Sequence, residues 1–436
     1  MYKQPLWLLI SLILDFSSFA QNQEKLNFFP IDTDAINTEN YDFLKKELED
    51  KRIVCLGEQV HMDGSSIAAR AKLIEYLVNE LHYEVILTET GIYNTQVAFN
   101  KARQYQNVDS LKITMYKFWQ SVQFQPIYDL IQKNINNIEV DGFDCKISSK
   151  SAYKSYPYSN FLQQKFESTD NRLLEDKHAK EYLSKIKLIE KELSSDKSNG
   201  LSFKMTRKEK IKFNELSQRV NQIIKNMGDA ELAQIQYTLD NSILNYSDYS
   251  KLKKIFNRKW LNNFNGRRDE LMASNLEYLI SQKHKGKKII VIGANFHFLR
   301  NPGLIEPAEM LNGLNLHESK IMMNLMYEKF KQEIYTVCFT TFTGSYGIIR
   351  GKESEVYKIG TRNHEYLEYH LSKLGHSQIF LPLETNKNNN LFKNRIAVSF
   401  TDYISKLTSS SWSDNFDAIY FIYTMEPIKI NPTLNK

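Results

Sequence analysis

The sequence predicts an α/β protein: a mainly parallel sheet flanked by helices, with a long helical insert and a β-rich C-terminal third. Three observations predict it. Short apolar runs alternate with helix-period segments through the first third of the chain, a charged stretch with heptad-like apolar positions follows, and β-branched and aromatic residues dominate from Ile334 onward.

The first strand is R-I-V-C-L-G, Arg52 to Gly57. Asp63 and Ser65 then offer capping oxygens, and Ile67, Ala71, Ile74, Leu77, Val78 and Leu81 recur at helical spacing. E-V-I-L-T-E-T, Glu84 to Thr90, is the second strand, so strand, helix and strand form a crossover unit whose strands run parallel. Taken as direct neighbours, these two strands bring Glu58, His61 and Glu89 to one rim. Helices are expected over Ile92 to Tyr105 and Val108 to Lys133, the second broken at Pro126. Ile138 to Phe143 is a third strand ending at Asp144.

From Asn160 to about Ser250 the pattern is helical, with Leu183, Ile186, Ile189 and Leu193 on one stripe and a break near Ser194 to Gly200. This insert is expected to stand beside the site as a wall or lid. Asn265 to Gln282 is a further helix with Arg267 and Arg268 in its first turn, and Lys288 to Gly293 is a fourth strand running into Ala294-Asn295-Phe296-His297. Ile334 to Phe342, Ser377 to Leu381 and Phe416 to Tyr423 are later strands, with a polar loop at Glu384 to Asn390.

The chain has 436 residues, enough to bury a large core without staples. Met1 to Gln21 reads as a secretory leader, with Lys3, an apolar run from Leu6 to Leu14 and Ser18-Phe19-Ala20 as a cleavage site. Cleavage after Ala20 would leave residues 21–436 as a single domain, exported and with no transmembrane segment. The formal charge is +6, and Lys and Arg alternate with Glu and Asp as on solvated helices, which argues against a nucleic-acid partner. Cys55, Cys145 and Cys338 are odd in number and widely spaced, so they are expected as buried thiols.

There is no G-x-S-x-G, G-x-G-x-x-G, Walker A or C-x-x-C sequence, which removes the fingerprints of serine α/β-hydrolases, dinucleotide and nucleotide binders and thiol redox proteins. His364 to His370 resembles a zincin motif, but its second His comes six residues on, and an amphipathic surface helix accounts for it. What remains is the carboxyl rim of the sheet, where open α/β sheets bind ligands. His61 can deprotonate water there, Glu58 or Glu89 can hold its tautomer, and His297 or Arg268 can meet a developing oxyanion. Glu58, His61, Glu89 and His297 are therefore the candidate catalytic residues, and Arg268, Asn295 and Asp144 the candidate substrate-binding ones. The same acids and imidazoles also suit a first-row metal or haem, which keeps a binding protein open as an alternative.

The pieces L-G-E-Q-V-H (Leu56 to His61), L-T-E-T-G (Leu87 to Gly91), D-G-F-D (Asp141 to Asp144), R-D-E-L-M-A-S-N (Arg268 to Asn275) and A-N-F-H (Ala294 to His297) together resemble the erythromycin esterase family, within a wider class of haem-binding and esterase-like proteins. The resemblance runs from about Tyr41 to Glu426. It implies an α/β fold with a helical insert beside a deep cleft, and hydrolysis of a macrolide lactone by histidine-activated water, with no cofactor or required metal. On that resemblance His61 is the general base, Glu58 and Glu89 are its carboxylates, and His297 and Arg268 line the cleft. The chain departs from the pattern in carrying Gln59, Val60 and Met62 around its first His, and Ala294 where the family has a His. The resemblance thus implies a small ester or lactone as substrate, with a catalytically decayed ligand-binding module as a further alternative.

Overall fold

The computed structural model describes residues 26–32, 38–145, 154–194, 204–247, 258–310, 313–350, 353–360, 362–393, 395–401 and 408–430. The leader and its cleavage site lie outside the described residues. Among the described residues, nine strands form one mixed, mostly parallel sheet: β1 (Phe29–Pro30), β2 (Ile53–Leu56), β3 (Val85–Gly91), β4 (Glu139–Asp144), β5 (Ile289–Ile292), β6 (Ile334–Arg350), β7 (Glu353–Lys358), β8 (Gln378–Pro382) and β9 (Ala418–Met425). The order is β1-β8-β9-β6-β2-β5-β3-β4, with β7 paired to the far end of β6.

From β9 through β6, β2, β5 and β3 to β4 at the edge each strand is parallel to the next, while β8 is antiparallel to both β9 and β1. Their sequences are continuous apolar runs because both faces are covered. Val54, Leu56, Ile86, Ile290 and Ile292 pack on one side, against the Gly64–Asn79 and Gln125–Lys133 helices. Ile53, Cys55, Val85, Ile289 and Val291 pack on the other, against Met272, Leu276 and the Met322–Phe330 helix. A third apolar cluster belongs to the insert, whose helices Tyr158–Thr169, Lys177–Ser194, Arg207–Met227 and Ala230–Tyr246 bury Leu183, Ile186, Ile189 and Leu193 as their spacing requires.

Several expectations need correction. β2 and β3 are not neighbours, because β5 runs between them in register with both (Ile53 and Val85 each pair with Ile289). Hydropathy marks strands but not their order in the sheet. Pro126 does not break a long helix: it lies in the first turn of the Gln125–Lys133 helix, where its missing N–H is harmless, and two short 3₁₀ turns precede it. Arg267 and Arg268 sit near the middle of an Arg258–Tyr278 helix, not in its first turn. The loop at Glu384 to Asn390 contains a 3₁₀ turn, Glu384–Asn386. β6 runs beyond Phe342 to Arg350, so that it pairs with β9 and then, past Gly344 at φ +111°, with β7. The three cysteines are buried, and among the described residues no helix is long and apolar enough to cross a membrane.

Candidate active site

The loop after β2 carries the first half of the site. Gly57 leads into it, and a Cβ there would lie 1.9 Å from Asn295 Oδ1. The glycine is what lets the β2 and β5 loops touch. Asn295 donates from its side-chain amide to the carbonyls of Phe339 and Phe400, both at 2.8 Å, while its backbone N–H donates to Glu58 O at 2.9 Å. Gln59 anchors the other side: its Oε1 accepts from the Thr341 N–H and hydroxyl, and its Nε2 donates to Ser399 Oγ. Asp63 then caps the Gly64–Asn79 helix by accepting from Ser66 N–H.

Between these anchors Glu58 is buried, with Oε2 on the guanidinium of Arg70 and Oε1 2.6 Å from His61 Nδ1. Glu58 accepts at both oxygens, so Nδ1 of His61 carries the proton and Nε2 keeps the lone pair. His61 is 34% exposed, unlike its two partners. The Arg70 position was legible: Ile67, Arg70, Ala71 and Ile74 share one buried helix face, and an Arg on an apolar stripe signals a buried acid.

The second half gathers from four other elements: β3, β4, the Arg258–Tyr278 helix and the turn after β5. Arg268 donates from Nε and Nη2 to the two oxygens of Asp144, at 3.2 and 2.8 Å, and from Nη2 to Glu89 Oε1 at 2.8 Å. Glu89 Oε2 accepts from the Ala294 N–H at 3.0 Å. His297 places Nδ1 2.7 Å from Asp269 Oδ1, and Nε2 3.1 Å from Arg268 Nη1 and 3.4 Å from Glu89 Oε1. Asp269 Oδ1 also accepts from the Met322 N–H.

Charges here tune one another. Burial alone would hold the His297 imidazole neutral, but Asp269 and Glu89 outweigh it and lift it to about 9. Burial opposes the Glu89 carboxylate, yet His297, Arg268 and His61 hold it well below its ordinary value. Arg268 is raised well above its ordinary value because Asp144 and Glu89 overcome its burial. The proton on His297 decides which neighbour its Nε2 uses: protonated it faces Glu89, neutral it accepts from Arg268.

The two halves meet across a cleft of about 330 Å³, lined on its polar side by Glu58, His61, Arg268, Asp269 and His297 and on its apolar side by Val60, Phe296, Met310 and Leu314. Glu89 and Asp144 stand behind Arg268 and do not line it, and Asn295 is absent from its wall because its amide serves the two loops. The insert lies on this carboxyl side of the sheet. Thr238 and Gln234 of its last helix donate to Asn275 Oδ1, whose Nδ2 donates to Phe143 O at the end of β4. Tyr246, at the end of the same helix, adds to the field that raises Arg268.

Among the described residues no group of three or more His, Cys, Asp or Glu is placed to hold a metal ion. Glu58, Glu89 and Asp144 are instead engaged by Arg70 and Arg268. Sequence reasoning passed over Arg70, Asp269 and the aromatic Phe118, whose ring faces His61.

Around one rim cleft the mostly parallel α/β sheet sets two carboxylate-imidazole pairs and the buried Arg268, and the residues lining that cleft include no serine or cysteine. The chain belongs to the erythromycin esterase family, whose model matches residues 93–425. It is 24% identical over 368 residues to the protein named "Putative hydrolase YbfO" of Bacillus subtilis (strain 168), covering 77% of this chain and 78% of that one. Its fold resembles that of a Bacillus cereus protein (TM-score 0.70, 16% identity, 93% of this chain and 96% of that one). It also resembles a mutant of the erythromycin esterase EreC in its open conformation (TM-score 0.67, 15% identity, 92% and 98%).

Proposed function

We propose that this protein hydrolyses a carboxylic ester or lactone with water activated by His61. The observation that carries the reading is the opposition, across one cleft, of a lone-pair nitrogen on His61 and the positive edge formed by Arg268 and His297. His61 Nε2 takes a proton from water while the hydroxide attacks the carbonyl carbon. The resulting oxyanion is met by Nη1 of Arg268 with the charge of His297 beside it, and His61 returns its proton to the departing alkoxide, leaving an acid and an alcohol. Glu58 stabilises the imidazolium that forms in between, as a carboxylate behind a catalytic histidine does. Asp144 and Glu89 aim Arg268 from behind.

The family supports a macrolide lactone as the substrate class and macrolide inactivation as its consequence. The leader-like Met1 to Gln21 supports an exported site of action. The test is a hydrolysis screen over macrolides and activated simple esters with the wild-type protein and His61→Ala. Turnover by the wild type and its loss in the variant is expected. Equal turnover by both would remove His61 as the base, and no turnover by either would leave the protein a ligand-binding module.

A further inference from the structure

A single hydrogen bond does not fix an imidazole. The contact from His61 Nδ1 to Glu58 Oε1 sets the tautomer, but the ring can still swing about that axis and carry Nε2 away from the cleft. A second restraint is present. The His61 ring lies flat on Phe118, with centroids 5.0 Å apart and planes 10° apart.

Phe118 is itself immobilised. Its other ring neighbour Tyr116 is also stacked on it, at 5.4 Å and 14°. Trp119 meets it edge-on at 5.8 Å and 89°, stacks on Phe124 at 5.4 Å and 8°, and gives its carbonyl to the hydroxyl of the buried Tyr128. This aromatic group belongs to the main core, packed beside the Gly64–Asn79 helix that carries Arg70. Its far end reaches the second half of the site: the Tyr116 phenol is raised well above its ordinary value by burial and then by Asp144, with Arg268 opposing. One segment therefore packs against the base and lies within the field of the arginine cluster.

The geometry points to Phe118 as a positioning residue that, with Glu58, holds the His61 ring so that Nε2 faces the cleft. Glu58 fixes which nitrogen bears the proton and Phe118 fixes the plane of the ring. The inference rests on the reading of His61 as the base, and it concerns a residue that does not line the cleft. An apolar residue of similar bulk would fill the space, but only a flat ring supplies the stacked face and its attraction for an imidazolium.

The test uses the full-length protein with ring-labelled histidine. In the wild type, the His61 ring protons should show nuclear Overhauser contacts to the Phe118 ring and an upfield ring-current shift, and the nitrogen pattern should report a proton on Nδ1. Phe118→Leu should abolish the upfield shift and the ring contacts while Nδ1 keeps its proton, and Phe118→Trp should restore the shift. In turnover assays Phe118→Leu should lower kcat by roughly ten- to a hundredfold, with KM changed by less than about twofold, as expected for lost orientation rather than lost binding. Absence of the ring contacts in the wild type would overturn the inference even if Phe118→Leu failed to fold. So would an unchanged His61 spectrum in a folded Phe118→Leu variant. The spectra need no substrate, so a protein that hydrolyses no ester would end the functional reading and still leave the stacking to be judged.

Discussion

Arg70 and Glu58 form an ion pair inside the protein, each all but inaccessible to water, and the second oxygen of Glu58 is the one that holds His61. A charge buried in this way is stable only while its partner remains. Arg70→Met should therefore lower stability by about 3–5 kcal/mol, read as a shift in the denaturant midpoint. Restoring much of that loss in the Arg70→Met, Glu58→Gln double variant would identify the unpaired carboxylate as its cause.

Glu58→Gln keeps the shape of the side chain and removes its charge. The amide can present N–H as well as C=O to His61 Nδ1, so the tautomer is no longer fixed and the imidazolium loses its counter-charge. The expected outcome is a fall in kcat of roughly 10²- to 10⁴-fold with a modest change in KM, measured on whichever ester the screen identifies.

His297 gives the site a pH dependence of known sign. Its folded value, about 9, lies above the ordinary 6.5, so its contribution to stability is fully present below about 6.5 and is lost as pH rises through about 9. The thermal midpoint should drop over that interval in the wild type. In Asp269→Asn, where the first of the two raising carboxylates is gone, the drop should move to lower pH. A wild-type profile flat between 6.5 and 9 would contradict a protonated His297.

Gly57→Ala would place a methyl 1.9 Å from Asn295 Oδ1, and the obstructing amide is itself held at 2.8 Å by two carbonyls. Neither loop can yield cheaply. A loss of about 1–3 kcal/mol is expected in chemical denaturation, with disturbance of the Glu58 loop visible as reduced turnover.

Asn275 links the insert to the sheet, accepting from Thr238 and Gln234 and donating to Phe143 O. Asn275→Leu removes all three bonds and takes the side-chain donor from Phe143 O, while Thr238 keeps Gln234 O and Gln234 keeps Ser274 Oγ; the loss should be about 1–3 kcal/mol. Since the insert ends at Tyr246 beside the arginine cluster, KM should rise more than kcat falls. An unchanged KM would argue that the insert does not shape substrate access.

Much of the fold was legible in the residues. Continuous runs such as I-I-V-I at Ile289–Ile292 can only be strands buried on both faces, and the stripe of Leu183, Ile186, Ile189 and Leu193 can only be a helix face. Helix boundaries were harder. Arg268 falls mid-helix because the helix runs from Arg258 to Tyr278, its apolar period reaching back through Phe264 ahead of the expected start at Asn265. Tyr116 to Phe124 falls inside the helix expected over Val108 to Lys133, yet its aromatics pack as a stacked group on 3₁₀ turns.

By itself the sequence determined which residue types stand at the ends of β2, β3, β4 and β5, because each apolar run gives way there to residues that hydrogen-bond or carry charge. It also determined that those ends share a rim, because crossover connections force the strands parallel. Only the tertiary structure decided the partners. β5 entered between β2 and β3, Arg70 turned inward to Glu58, Glu89 paired with Arg268 and His297 and not with His61, Asp269 took Nδ1 of His297, and Asn295 was drawn into holding loops together. The physical reason is that pairing among buried charges depends on distances of a few ångströms between residues far apart in the chain, and local periodicity carries no information about those distances.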